Sequence, residues 1–137
     1  MIQSSVLAWL RLFRVFQKID RASSIHLRSW GLSTAQFDVL ARVGASRGIT
    51  QQELADRLLV TKGNISQLLD HMERLGLLKR CQEKRSKVLV LTEEGQALYE
   101  RVVPAQEKLI AERFAGLSSA EIGDLQRLLR KLDHALR

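Results

Sequence analysis

From about Ser4 to Arg28 apolar residues recur three and four apart, at Val6, Trp9, Leu10, Phe13, Phe16 and Ile19, which puts them on one face of a long first helix. Arg11, Arg14, Lys18 and Arg21 share another face, either as an ordinary solvated stripe or as a frame for an anion. Gly31 stops this helix. Ser33-Thr34-Ala35-Gln36 then has the form of a capping box, in which Ser33 caps and Gln36 reaches back. A second helix follows with Phe37, Leu40, Ala41 and Val43 inward, ending near Gly44. Thr50-Gln51-Gln52-Glu53 is another such box and opens a short helix through about Leu58, burying Leu54, Ala55 and Leu58.

Thr61 can cap the next helix, Thr61 to Arg74. Its Ile65, Leu68, Leu69 and Met72 form an inward face, while Lys62, Asn64, Ser66 and Gln67 fall largely outside it. Gly76 ends the helix as a left-handed cap, and Leu77-Leu78 restarts the chain in extended form. The periodicity then changes. A short apolar run, a polar and basic tip at 82–87, and the run Val88-Leu89-Val90 predict a small hairpin between Leu78 and Leu91. Thr92 caps a long helix from about Glu93, with Ala97, Leu98, Val102, Leu109 and Ile110 as its apolar residues and Pro104 expected to bend it. Ser118-Ser119-Ala120-Glu121 is a further capping box, opening a last helix that carries Ile122, Leu125, Leu128, Leu129, Leu132 and Leu136 at near-heptad spacing.

The fold class expected is mainly α with a small β-hairpin, in a single domain spanning 1–137. A composition 45% hydrophobic but only 5% aromatic suits helices packed by aliphatic ridges. No apolar run reaches the roughly 18 residues of a spanning helix, and the first residues lack the charged-then-apolar order of a signal peptide, so a cytoplasmic location is expected. Cys81 stands alone in the sequence, so no internal disulfide supports the fold.

Net charge is +7, with an isoelectric point near 10.2, which favours a polyanionic partner. The distribution is uneven. Residues 1–32 carry five basic against one acidic side chain, residues 33–92 ten against six, and residues 93–137 seven against eight. The excess is densest at 79–87, with five basic and one acidic.

Short helix, turn, polar-faced helix and basic hairpin, in that order, form a helix-turn-helix with a wing. An α-helix fits the major groove of B-DNA, and residues near its N-terminus can reach base edges. Asn64 and Gln67 suit bidentate readout of adenine, Thr61 and Ser66 can contact bases or phosphates, and Lys62 can neutralise phosphate or reach guanine. Lys84, Arg85 and Lys87 of the wing would lie along the backbone or in the minor groove. Taken singly, each of these residues could equally be a solvated surface group; the order and the local charge carry the reading.

The stretches 32–40, 49–55, 61–66, Leu75-Gly76-Leu77-Leu78 and Leu91-Thr92-Glu93-Glu94-Gly95 resemble the successive signatures of the MarR family of transcription regulators. The resemblance covers essentially the whole chain. It implies an obligate homodimer built from the terminal helices, about 1–30 and 93–137, with a DNA-binding lobe at about 33–92. It also implies a pseudo-palindromic operator and, usually, repression released by a small ligand. Broad apolar faces on the first and last helices point independently to a second chain. The wing departs from the family pattern: Asp-x-Arg is replaced by Glu83-Lys84-Arg85, and the loop before it is about three residues short. Arg85 matches the wing arginine, which Glu83 could brace.

The resemblance further implies an effector site between the dimer helices and the DNA-binding lobe, where His26, Trp30 and Asp38 could line a pocket. Each also has a plain structural role available: packing for Trp30, an ion pair for Asp38, an exposed helix end for His26. Cys81 sits beside Lys79, Arg80 and Lys84, charge that favours a thiolate and hence oxidation sensing, although redox-sensing relatives place the cysteine in the first helix. His26, His71 and His134 are scattered, so no metal and no cofactor is expected. No phosphate loop, nucleophile motif or carboxylate pair points to an enzyme. Two alternatives stay open: an architectural DNA-binding protein with little base readout, and a winged-helix module that binds protein, for which a non-basic wing would be the sign.

Overall fold

The computed structural model describes residues 1–58 and 62–136. Helix α1 (Ser4–Ser29) leads through Trp30 and Gly31 to α2 (Thr34–Ala45). A short strand β1 (Ile49–Thr50) precedes α3 (Gln51–Leu58) and α4 (Lys62–Arg74), and β2 (Leu78–Glu83) and β3 (Ser86–Leu91) form a hairpin. Then come α5 (Glu93–Arg113) and α6 (Ser119–Ala135). Among the described residues no helix is long and apolar enough to cross a membrane, and no group of His, Cys, Asp or Glu is placed to hold a metal.

The capping boxes form as their sequences require. Ser33 Oγ accepts the Gln36 N–H at 3.1 Å while Gln36 Oε1 accepts the Ser33 N–H at 2.8 Å, and Ser118 and Glu121 make the same reciprocal pair. Thr50 and Glu53 repeat it at the start of α3. These bonds satisfy donors that the first helical turn leaves open, which is why the boundaries of α2, α3 and α6 follow the sequence signal.

The buried core joins Leu27 of α1, Val39, Leu40 and Val43 of α2, Leu54 of α3, Ile65, Leu69 and Met72 of α4, Leu78 and Leu89 of the hairpin and Val102 of α5. The helix-turn-helix and the sheet therefore share one interior, and burial of these aliphatic side chains is the main term holding α4 beneath the hairpin. Helix α5 runs on through Pro104. Its Ala97, expected inward, is exposed, and the polar Gln106 is buried instead.

Two features of the sheet differ from the expectation. Ile49 and Thr50 pair antiparallel with Leu89 and Val88, adding a third strand in the order β1-β3-β2. The hairpin keeps its expected bounds, but its strands are longer and its turn tighter: the ladder runs out to Glu83 opposite Ser86, so the tip is Lys84 and Arg85 alone rather than 82–87. A two-residue connection needs positive φ, and Lys84 supplies it at 56°, the only non-glycine residue to do so among the described residues. Gln82 Nε2 donates to the Lys84 carbonyl at 3.1 Å and braces the turn.

The terminal helices contribute little to this interior. Val6, Trp9, Leu10, Phe13 and Phe16 of α1 are exposed, Trp9 and Phe16 at 61% each, and α6 buries no residue, leaving Leu128, Leu129, Leu132 and Leu136 open.

Candidate nucleic-acid interface

Helices α3 and α4 are the two arms of the helix-turn-helix. Burial of Leu54 and Ala55 on α3 and of Ile65, Leu69 and Met72 on α4 fixes which face each helix turns outward. Asn64 and Gln67 are exposed on α4 and Ser66 is half-buried. Thr61, the expected cap and contact, lies outside the described residues, as does the side chain of Lys62. The expectation that the polar residues of α4 lie opposite its apolar face therefore applies at 64 and 67 and only partly at 66.

The wing brings Arg85 and Lys87 close to this pair of helices. Lys84, Arg85 and Lys87 are exposed, and among the described residues none of them is in an ion pair. A cleft of about 310 Å³ separates the wing from the helices, lined by Gln51, Ala55, Ile65, Arg85 and Lys87 among others. Gln51 Oε1 is buried at its edge with no hydrogen-bond partner among the described residues. Sequence reasoning did not single out Gln51; its position in the first turn of the helix that precedes the reading helix is the signal that could have found it.

The brace expected between Glu83 and Arg85 does not form. Glu83 is the last ladder residue, opposite Ser86, and among the described residues it is in no ion pair. Arg80 makes the ion pairs instead. Its Nη2 donates to Asp70 and, at 2.9 Å, to Glu73 Oε1, and its backbone N–H donates to Glu73 Oε2 at 3.3 Å. Hydrogen bonding to this guanidinium holds the Asp70 and Glu73 carboxyls below their ordinary values. Cys81 is exposed on β2 opposite Val88, and the charge of its neighbour Arg80 is already engaged.

His26 and Trp30 are brought together; Asp38 is not. His26 is half-buried rather than an exposed helix end. An indole N–H can only donate, so Trp30 Nε1 donating to His26 Nε2 at 3.2 Å leaves the ring proton on Nδ1, which donates to Gln106 Oε1 at 2.8 Å. Gln106 Nε2 in turn donates to Ser23 Oγ, so this chain of bonds ties α1 to α5 through two buried polar residues. The Arg101 guanidinium lies 5.3 Å from the Trp30 ring centroid. Asp38 is exposed on α2, with no hydrogen bond or ion pair to either residue; partial desolvation raises its carboxyl against the opposing pull of Arg42.

The same arrangement recurs in known proteins. A profile of the MarR family matches residues 30–87. An HTH-type transcriptional regulator of Bacillus cereus is 41% identical over 100 residues, 73% of this chain and 68% of that protein. A MarR family transcriptional regulator from Listeria monocytogenes, solved with a 26mer DNA, is 30% identical with a TM-score of 0.81, covering 93% of this chain and 87% of that one. AbsC, a MarR family regulator from Streptomyces coelicolor, shares the fold over 100% of this chain and 97% of its own with a TM-score of 0.90, at 22% identity. A helix-turn-helix with a cation-tipped hairpin, matched over its length by relatives at these identities, places the chain in the MarR family of winged helix-turn-helix transcription regulators, DNA-binding proteins rather than enzymes.

Proposed function

We propose that the protein is a homodimeric, sequence-specific repressor that binds a pseudo-palindromic operator and is released by a small-molecule effector. The observation that carries this reading is the open wing: Lys84, Arg85 and Lys87 stand exposed and, among the described residues, in no ion pair, while Asn64 and Gln67 are exposed on α4. In this reading about 33–92 engage DNA. Asn64 and Gln67 read bases, Thr61, Lys62 and Ser66 contact bases or phosphates, and the wing cations follow the backbone or enter the minor groove. The Listeria relative solved with DNA supports it.

About 1–30 and 93–137 hold two copies together. Helix α1 carries two apolar faces, as its 3.6-residue turn dictates. Ala8, Leu12 and Val15 line a groove with Phe114 and Leu117 of the same chain, whereas Val6, Trp9, Phe13 and Phe16 face away from it. A patch of this size left open on a monomer is what a second copy would cover. For the effector, Lys18, Arg21 and Arg113 surround Ile25 and Leu109 in a groove of about 380 Å³ between α1 and α5. Three cations over an apolar floor suit a small anion with an apolar body. His26 lines that groove and Trp30 is bonded to it, so both would shape the site, while Asp38 lies apart from it.

Selection of bound sequences from a random duplex pool, followed by titration of the winner against scrambled DNA at physiological salt, tests the reading. An inverted repeat preferred by about a thousandfold is the expected result. No enrichment, with binding that salt abolishes, would instead mark an architectural protein.

A further inference from the structure

Within the basic run from Lys79 to Lys87, Arg80 is set apart. Its side chain is 15% exposed, and it is bonded to two carboxylates at once. Asp70 and Glu73 are three residues apart on α4, hence on one flank of the helix, and that flank faces β2. β2 is the outer strand of the sheet, so alternate N–H groups along it point away from β3 and need another acceptor. The Arg80 N–H is one of these, and Glu73 accepts it where a further strand would otherwise lie.

We infer that Arg80 is a positioning residue: through Asp70 and Glu73 it fixes the wing against the reading helix, so that Lys84 and Arg85 sit at a set distance from Asn64 and Gln67, and it does not itself meet phosphate. This rests on the wing contacts proposed above. One guanidinium facing two carboxylates leaves the cluster with a net charge of −1, so Arg80 has no cation to offer DNA. These bonds join α4 to the hairpin through polar side chains. The other anchors of the sheet are the buried Leu78 and Leu89 and the pairing of β3 with β1, which holds Leu89 and Val88 to Ile49 and Thr50 on the side of β3 away from β2. Removing the clamp therefore leaves β3 attached to β1 but releases the outer strand β2 from α4 at Arg80.

The test is a double-mutant cycle on a duplex selected by the wild-type protein from a random pool, with thermal unfolding confirming that each variant is folded. Arg80→Met should weaken binding by about tenfold when the wing is intact, and by less than about twofold when Arg85→Ala is already present, because residues acting through one contact are not additive. Arg80→Lys, which keeps the charge but loses the fork, should behave like Arg80→Met. The paired change Asp70→Asn with Glu73→Gln reverses the usual sign. It removes two negative charges from a DNA-facing region, which by charge alone would tighten binding, yet loss of the clamp should weaken it. Equal losses from Arg80→Met in both backgrounds, full activity of Arg80→Lys, or tighter binding by the carboxylate pair would each overturn the inference. If Arg85→Ala alone binds as the wild type does, the wing reading fails and this inference with it; if Arg85→Ala weakens binding but the losses multiply, only the positioning role fails.

Discussion

The Leu77 carbonyl oxygen occupies the place that a Cβ on Gly95 would need, while accepting the Thr92 N–H at 3.1 Å. Thr92 completes the junction: its hydroxyl donates to the Gly76 carbonyl at 2.6 Å and accepts the Gly95 N–H at 3.0 Å. The first turn of α5 is thus laid directly on the segment that leaves α4. Gly95→Ala must push two backbones apart, since the opposing atom is a main-chain oxygen that cannot rotate away. A loss of about 1–3 kcal/mol is expected from such overpacking, read as a lower urea midpoint. An unchanged midpoint would show that the junction is looser than described.

Lys84 holds its positive φ of 56° at the tip of the wing. Lys84→Gly should relieve about 1 kcal/mol of backbone strain and so stabilise the fold slightly, while removing one cation from the DNA-facing edge. Stability and affinity should therefore move in opposite directions. A variant that gains in thermal midpoint without losing affinity would take Lys84 out of the interface.

Arg85→Ala should flatten the log–log dependence of DNA affinity on salt by about 0.9 if Arg85 neutralises one phosphate. Asn64→Ala should cost roughly 1–3 kcal/mol against the preferred sequence and little against scrambled DNA if Asn64 reads a base. A uniform loss across sequences would reassign Asn64 to the backbone.

Phe16→Glu places a charge in the open apolar face of α1, away from the core residues that α1 contributes. Sedimentation should then report a smaller species than the wild type, with operator affinity reduced. If both proteins sediment alike, that face is not where the copies meet.

The Arg80 cluster also predicts a response to acid. Asp70 and Glu73 titrate below their ordinary values of 3.8 and 4.5 because Arg80 bonds to their charged forms. A carboxyl with a depressed folded value stabilises the protein above its unfolded value and loses that contribution as pH falls through the folded one. The thermal midpoint should therefore drop as pH is lowered through and below 4.5 and 3.8, and part of that drop should vanish in the variant carrying both Asp70→Asn and Glu73→Gln. Glu121, held low by the N-terminal groups of Ser118, supplies a remainder that this variant keeps. An identical acid profile in both proteins would mean the pair is too solvated to matter.

The helices were legible because their signals are local. Ser33, Thr50 and Ser118 each cap a helix through a partner three residues on, and periodicity over ten or more residues is hard to mistake. What was not legible depends on residues distant in sequence. Ile49 pairs with Leu89, forty positions away, and Gln106 is buried only because Ser23 and His26 of α1 meet it there. The wing shows the same division. Its charge is evident in the sequence, but the adjacent Glu83 does not brace Arg85, and the ion pairs that do form join Arg80 to Asp70 and Glu73 across a helix–strand contact. The family resemblance pointed to the helix-turn-helix and wing, whereas the sequence offered nothing about which of the wing cations enter ion pairs.

Glu73 does one thing more by accepting the Arg80 N–H. The outer edge of a sheet is a template on which another extended chain can grow, and this one ends in an exposed, flat hairpin. With a carboxylate bound along that edge, an incoming strand meets an occupied donor and a negative charge. An edge filled in this way disfavours edge-to-edge pairing between the hairpins of two molecules.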